Sequence, residues 1–178
     1  MTDLTINATA RDTADARARL AARLAENPDG VIEALARQHG VTTLDATRLL
    51  PPDAAAFAPA DAFADVMADL TGWGPVLVIV HTPSIVLECE GPVPPGSFGR
   101  GFFNLHGDSP IGGHIRADRC VAIAFVRRPF MGRESCSVQF FDHDGEAMFK
   151  VFVRRLPDRS LDREQVARFE ALKAKFAV

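Results

Sequence analysis

The chain has 178 residues, 47% of them apolar and 24% charged, with a formal net charge of -3. That is long enough for one domain that buries roughly 70% of its unfolded surface without disulfides or metals. The acidic balance argues against nucleic acid as the main partner. Thirteen Phe against no Tyr and one Trp rules out a tyrosinate ligand to iron. Cys89, Cys120 and Cys136 are odd in number and widely spaced, which suits buried thiols in a reducing compartment. The longest apolar run, Cys120 to Val126, is far shorter than the ~20 residues of a bilayer span. With no apolar segment beside Asp3, Asp12, Asp15 and Glu26, no signal peptide is expected. A soluble cytoplasmic protein, with no membrane partner, is the expectation.

Residues 1–13 are polar and aperiodic and are expected to be disordered. The remainder, 14–178, reads as one domain with a helical region (14–71), an antiparallel sheet (72–155) and a C-terminal helix (160–177). In chain order, an Ala- and Arg-rich helix runs to the turn at Asn27–Gly30. A second helix places Val31, Ile32, Leu35 and Ala36 on one face and stops at Gly40. A third starts at Thr42, with Asp45 placed for a capping box, and ends before Pro51-Pro52. A Pro/Ala linker follows, then a fourth apolar stripe at Phe63, Val66, Met67 and Leu70.

Beyond Gly72 the pattern predicts strands. Val76–His81 and Ile85–Cys89 form a hairpin across Thr82-Pro83-Ser84. Gly/Pro-rich Gly91–Gly96 leads to strands at Gly101–Leu105, Ile111–Ala117 and Cys120–Arg127. Val138–Asp142 and Ala147–Val153 flank His143-Asp144-Gly145, a strong hairpin turn. The last helix opens with a capping box at Asp162 and Gln165 and turns Val166, Phe169, Leu172 and Phe176 to one face. Helices, an antiparallel meander and a helix define an α+β fold.

The five histidines, His39, His81, His106, His114 and His143, show no i, i+3 or i, i+4 pair and no HxH, so a ligand pair would have to be assembled by the sheet. His81 ends the Leu77–Ile79–His81 face of a strand, and His114 shares its face with Arg116. A strand histidine is more often a hydrogen-bonded structural residue than a ligand. His143 is expected exposed in its turn, and His39 at a helix C-terminus. Arg116, Arg119, Arg127, Arg128 and Arg133 crowd one stretch against Asp118 alone. They suit carboxylate or phosphate recognition, but a solvated sheet face or an interface ion pair is the reading the sequence favours. Arg100, Phe102, Phe103, Phe130 and Met131 add a cation and large apolar surface that a planar ligand could use, as could any core.

No GxSxG, P-loop or strand-linked GxGxxG is present, and Gly96–Gly101 precedes a strand and so lacks a helix dipole. No carboxylate pair stands out, so catalysis has no support. Asn27 to Pro52 imitates a helix-turn-helix, but its two arginines face three acids, which fits a packing module better than a DNA-binding regulator.

Several words in one order then carry a resemblance: Leu70–Val76, Val80–Thr82, Gly101–Leu105, Gly112–Cys120, Arg128–Gly132 and Gly145–Phe152. From about Leu20 to Phe176 the chain resembles the small intracellular haem-utilisation carriers of the ChuX/HutX type. The resemblance implies a helical region before a large antiparallel sheet, and a homodimer similar to one chain of larger two-repeat haem-trafficking proteins. It implies haem (heme b) as the ligand, with His81 and His114 at the iron. Arg100, Phe102, Phe103, Arg116, Phe130 and Met131 are then candidate haem contacts. It also implies a downstream haem-accepting protein, and storage or transfer rather than catalysis; the charge balance leaves no nucleic acid among the expected partners. The chain departs from its relatives at Phe103, where Tyr is common, and in Ser97–Arg100, where a histidine is common. The alternatives are a haem-degrading enzyme, a DNA-binding regulator and a flavin-binding β-protein whose arginines hold the phosphate.

Overall fold

A computed structural model describes the backbone of residues 2–178 and the side chains from Thr13 onward; the backbone from Thr2 on is helical, so α1 runs through the stretch 1–13 that the sequence leads one to expect disordered. The helices are α1 (Thr2–Glu26), α2 (Ile32–His39), α3 (Thr43–Arg48), α4 (Phe63–Leu70) and α5 (Arg163–Phe176). Each local signal has a visible cause. Gly40 takes a left-handed conformation and closes α2 through Ala36 and Arg37 carbonyls. The Thr42 hydroxyl accepts from Asp45 N at the start of α3. Asp162 caps α5 by accepting from Glu164 N and Gln165 N. The second half of that expected capping box is absent. Gln165 accepts from Arg154 N and donates to the Trp73 and Pro75 carbonyls, tying α5 to the sheet. Among the described residues, no helix is long and apolar enough to cross a membrane.

The strands are β1 (Ala55–Pro59), β2 (Pro75–His81), β3 (Val86–Pro92), β4 (Gly96–Gly99), β5 (Phe102–Leu105), β6 (His114–Ile115), β7 (Cys120–Phe130), β8 (Arg133–Asp142) and β9 (Ala147–Phe152). They form a six-stranded sheet in the order β1-β7-β8-β9-β2-β3 and a three-stranded sheet β4-β5-β6. β7, β8 and β9 are an antiparallel meander, and the β2–β3 hairpin joins it by pairing Leu77 to Phe152 and Ile79 to Lys150. β1 lies inside the expected Pro/Ala linker. Its alanines carry little strand propensity, and pairing Ala55–Pro59 with Ala122–Val126 overrides that weak local signal. Of the strand expected at 111–117, only His114–Ile115 lies in the β5 ladder, extended by one hydrogen bond from Leu105 N to the Gly113 carbonyl.

Two cores flank the large sheet. On one face, α4, α5 and the small sheet close over Ile123, Phe125, Val138, Phe140, Phe149 and Val151. On the other, α1, α2 and α3 cover Ala122, Ala124, Val126 and Phe141. α3 turns Thr43, Leu44, Ala46 and Thr47 inward, as a packing module would. Cys120 and Cys136 are buried and Cys89 half-buried, all three free. Burial pushes the Cys120 and Cys136 thiols up to about 11.

Candidate functional site

Strand alternation sends Val76, Val78 and Val80 to the closed core and Leu77, Ile79 and His81 to the opposite face. There the three N-terminal helices cover β1, β7 and part of β8, reach β9 and β2 only around Ala147 and through Glu33 of α2, and leave the rest of β9, β2 and β3 open. The uncovered part is a groove of about 390 Å³. Its walls mix apolar side chains, among them Ile32 of α2, Leu77 and Ile79 of β2, Phe130, Phe152 and Leu161, with charged ones, Glu88 and Glu90 of β3 and Arg128, Arg154 and Arg155. Its floor is polar, with Ser135, Ser137 and Gln139 of β8 and Lys150 of β9. Val86, exposed on the edge strand β3, lines the solvent side.

Two charged residues are buried at this floor. Glu33, from the first turn of α2, is 5% exposed and Lys150 is 6% exposed, and the ammonium donates to Glu33 Oε1. His81 Nδ1 stands 3.3 Å from the same oxygen. Burial alone would push the Glu33 carboxyl up, but the Lys150 charge and hydrogen bond, with His81 nearby, hold it below the ordinary carboxylate range. The Glu33 end of α2 is set by the loop before it. Asp29 accepts from Met131 N and Gly132 N, each at 2.7 Å. Arg128 Nη1 donates to the Pro28 carbonyl at 2.8 Å. Met131 and Gly132 both have positive φ, the two-residue turn that joins tightly twisted strands, so their amides point together at the Asp29 carboxylate.

His114 lies elsewhere. On β6 it pairs with Asn104, is exposed, and its Nδ1 is 2.7 Å from Asn104 Oδ1. The Phe102 ring packs edge-on at 5.9 Å, and the Arg116 guanidinium sits 5.8 Å over that ring while pairing with Asp118. Arg100, Phe102 and Arg116 line a shallow depression of about 740 Å³ with Phe98. This cluster rides on the small sheet, on the face of the large sheet opposite to His81.

The expected site residues therefore divide. His81 and Phe130 line the groove; His114, Arg116, Phe102 and Arg100 gather on the small sheet. Phe103 is 5% exposed and packs into the core against Phe63, so its ring is no surface for a ligand. Met131 is 79% exposed at the β7–β8 tip. Of the arginine run, Arg116, Arg119 and Arg127 are ion-paired to Asp118, Asp144 and Glu134. Glu33, Lys150 and Gln139 are the groove residues that sequence reasoning passed over. A lysine at the centre of the apolar run Met148–Val153, and polar residues alternating with Cys136, Val138 and Phe140, were the available signals.

An α+β chain with a groove on one sheet face that combines apolar walls with a few converging polar groups and a single imidazole is a small-molecule-binding domain by architecture. Residues 56–172 match the family described as Haem utilisation ChuX/HutX. The chain is 36% identical over 155 residues to the intracellular heme transport protein HutX of Vibrio cholerae, covering 86% of this chain and 80% of that one. It thus belongs to the ChuX/HutX haem utilisation family. Among solved structures, a protein from Agrobacterium tumefaciens superposes with a TM-score of 0.85 at 46% identity, covering 95% of this chain and 96% of its own. The heme-binding protein ChuX superposes with a TM-score of 0.81 at 38% identity, covering 88% and 97%.

Proposed function

We propose that this protein binds haem in the cytoplasm and passes it on to a downstream haem-accepting protein, without turning it over. The observation that carries the reading is His81, an imidazole in a groove with apolar side chains around it and a buried carboxylate near its Nδ1. The groove fits the ligand's chemistry. Imidazole is a standard axial ligand to haem iron, Leu77, Ile79, Phe130 and Phe152 supply flat apolar contact, and the volume falls within the roughly 300–1,000 Å³ of small-molecule sites. HutX is named a heme transport protein and ChuX a heme-binding protein, and membership of their family supports the same ligand and task here. The groove opens to solvent along β3, which suits release to an acceptor.

His81 of one chain projects from one face of the large sheet and His114 sits on the small sheet packed over the other face, so a haem that used both would need two chains. A homodimer is the partner we propose, in keeping with the exposed apolar edge at Ile85, Val86 and Leu87. In this reading Arg116 and Arg100, beside His114, face the propionates.

Hemin titration of the wild type, His81→Ala, His114→Ala and the exposed control His143→Ala tests the assignment. Loss of His81 should change the Soret and visible bands; loss of His114 should mainly weaken binding, a tenfold rise in Kd corresponding to about 1.4 kcal/mol. A parent spectrum in His81→Ala would refute the site. Mixing His81→Ala with His114→Ala should restore one parent-like site in a mixed dimer, and a monomeric mass by light scattering would refute the dimer. Bound haem should move intact to apomyoglobin. Catalytic release of a bile pigment under reductant, with catalase present, would make the protein a haem-degrading enzyme instead.

A further inference from the structure

Glu33 and Lys150 are expensive residues to bury. An apolar pair of similar volume would hold α2 to β9 as well or better, because desolvating two charges offsets most of their attraction. Packing therefore does not explain the pair, and its geometry points to another task. Glu33 Oε1 takes the Lys150 ammonium and also faces His81 Nδ1 at 3.3 Å, just beyond the usual N–H···O range of about 2.7–3.2 Å. The His81 side chain is 18% exposed, so little of the ring meets water. The carboxylate is held from two directions: Lys150 fixes it from the sheet, and the Asp29 and Arg128 contacts fix the loop that leads into α2.

We propose that Glu33 is a positioning residue for His81. Its negative charge beside Nδ1 favours the proton on that nitrogen, so the neutral imidazole is kept as the tautomer with Nε2 unprotonated and available to a ligand in the groove, and Lys150 keeps Glu33 in place. A carboxylate behind a ligating imidazole fixes ring orientation and makes the ring a stronger donor. Resting on the reading of His81 as the axial ligand, this makes Glu33 and Lys150 determinants of how firmly ferric iron is held. Removing either one alone would strand a buried charge, so the informative variant removes both.

The tautomer can be read without haem. In the full-length protein labelled with 15N, at an alkaline pH where the ring 15N shifts themselves report a neutral imidazole, long-range 1H–15N spectra should show His81 with its proton on Nδ1. In Glu33→Leu/Lys150→Met the signal should shift toward the Nε2–H form that free imidazole prefers, and Glu33→Gln/Lys150→Met, which restores an acceptor oxygen, should return it toward the parent. With hemin bound, the Leu/Met variant should show a lower ferrous Fe–His stretching frequency and a higher midpoint potential than the wild type. A wild-type His81 with its proton on Nε2, or a folded Leu/Met variant with unchanged tautomer, frequency and potential, overturns the proposal. If the Leu/Met variant does not fold, the wild-type tautomer decides alone. An unchanged hemin spectrum in His81→Ala would instead overturn the haem assignment and leave the tautomer result standing.

Discussion

The two faces of the large sheet are built from the same strands and finished in opposite ways. One is closed by aromatic packing. Phe140 stacks on Phe149 at 4.4 Å and meets Phe63 edge-on at 5.3 Å, and Phe125 meets Phe169. The other is closed only over β1, β7 and the start of the meander, and its open half seats Glu33, Lys150 and Gln139 where a core would have aliphatic side chains. Gln139 Oε1 is buried without a hydrogen-bond partner among the described residues. The difference separates tasks: the dry face supplies stability, and the open face accepts polar groups that a folding optimum would remove.

The largest expected loss is therefore on the closed face. Phe140→Ala should lower unfolding free energy by about 3–5 kcal/mol, read from urea denaturation. Where the protein remains folded, the bands of bound haem should be unchanged. On the open face, Lys150→Met alone should destabilise by about 3 kcal/mol, the lower end for a broken buried pair because the groove admits water. Glu33→Leu/Lys150→Met should recover most of that loss; a double variant no more stable than the single would show that the ion pair is itself a net stabiliser.

The clamp between the two helical and sheet regions should show a smaller effect. Asp29→Asn keeps an acceptor but loses the charge, at about 1 kcal/mol after allowance for solvent screening. Hydrogen bonds, first from Gly132 N and then from Met131 N, outweigh partial desolvation and hold the Asp29 carboxyl below its ordinary 3.8. Its folded value being depressed, the contribution is present above the unfolded pKa and is lost as pH falls through the folded one. Acid unfolding of Asp29→Asn should accordingly be shallower than the parent's over that window. The smallest change in stability, under about 1 kcal/mol, is expected for His81→Ala, whose side chain fills no dry core; a larger loss by thermal denaturation would make His81 structural.

Much of the fold was legible because its signals are local. Gly40, Thr42 and Asp162 mark helix ends through backbone groups a few residues away, and Asp144-Gly145 marks a turn through φ alone. Gly145 sits at φ +79, with Thr42 so close that a Cβ there would meet its side chain at 2.6 Å. β1 was not legible, since Ala55–Pro59 has no strand pattern of its own. Nor was the short paired length of β6.

The histidines mark where sequence reading ends. Period-two alternation placed His81 on one face of its strand and His114 on the face of Arg116, and family words singled out both. Which face of the whole sheet each strand face becomes is decided by pairing: β2 adds to β9, whereas β6 joins a separate small sheet on the far side. Glu33 was legible only as an acid in the first turn of a helix, and Lys150 only as a lysine in an apolar strand. Their meeting beneath His81 depends on contacts between residues more than a hundred positions apart. Local chemistry is written in neighbouring residues, but a site assembled across a sheet exists only once the strands have chosen their order.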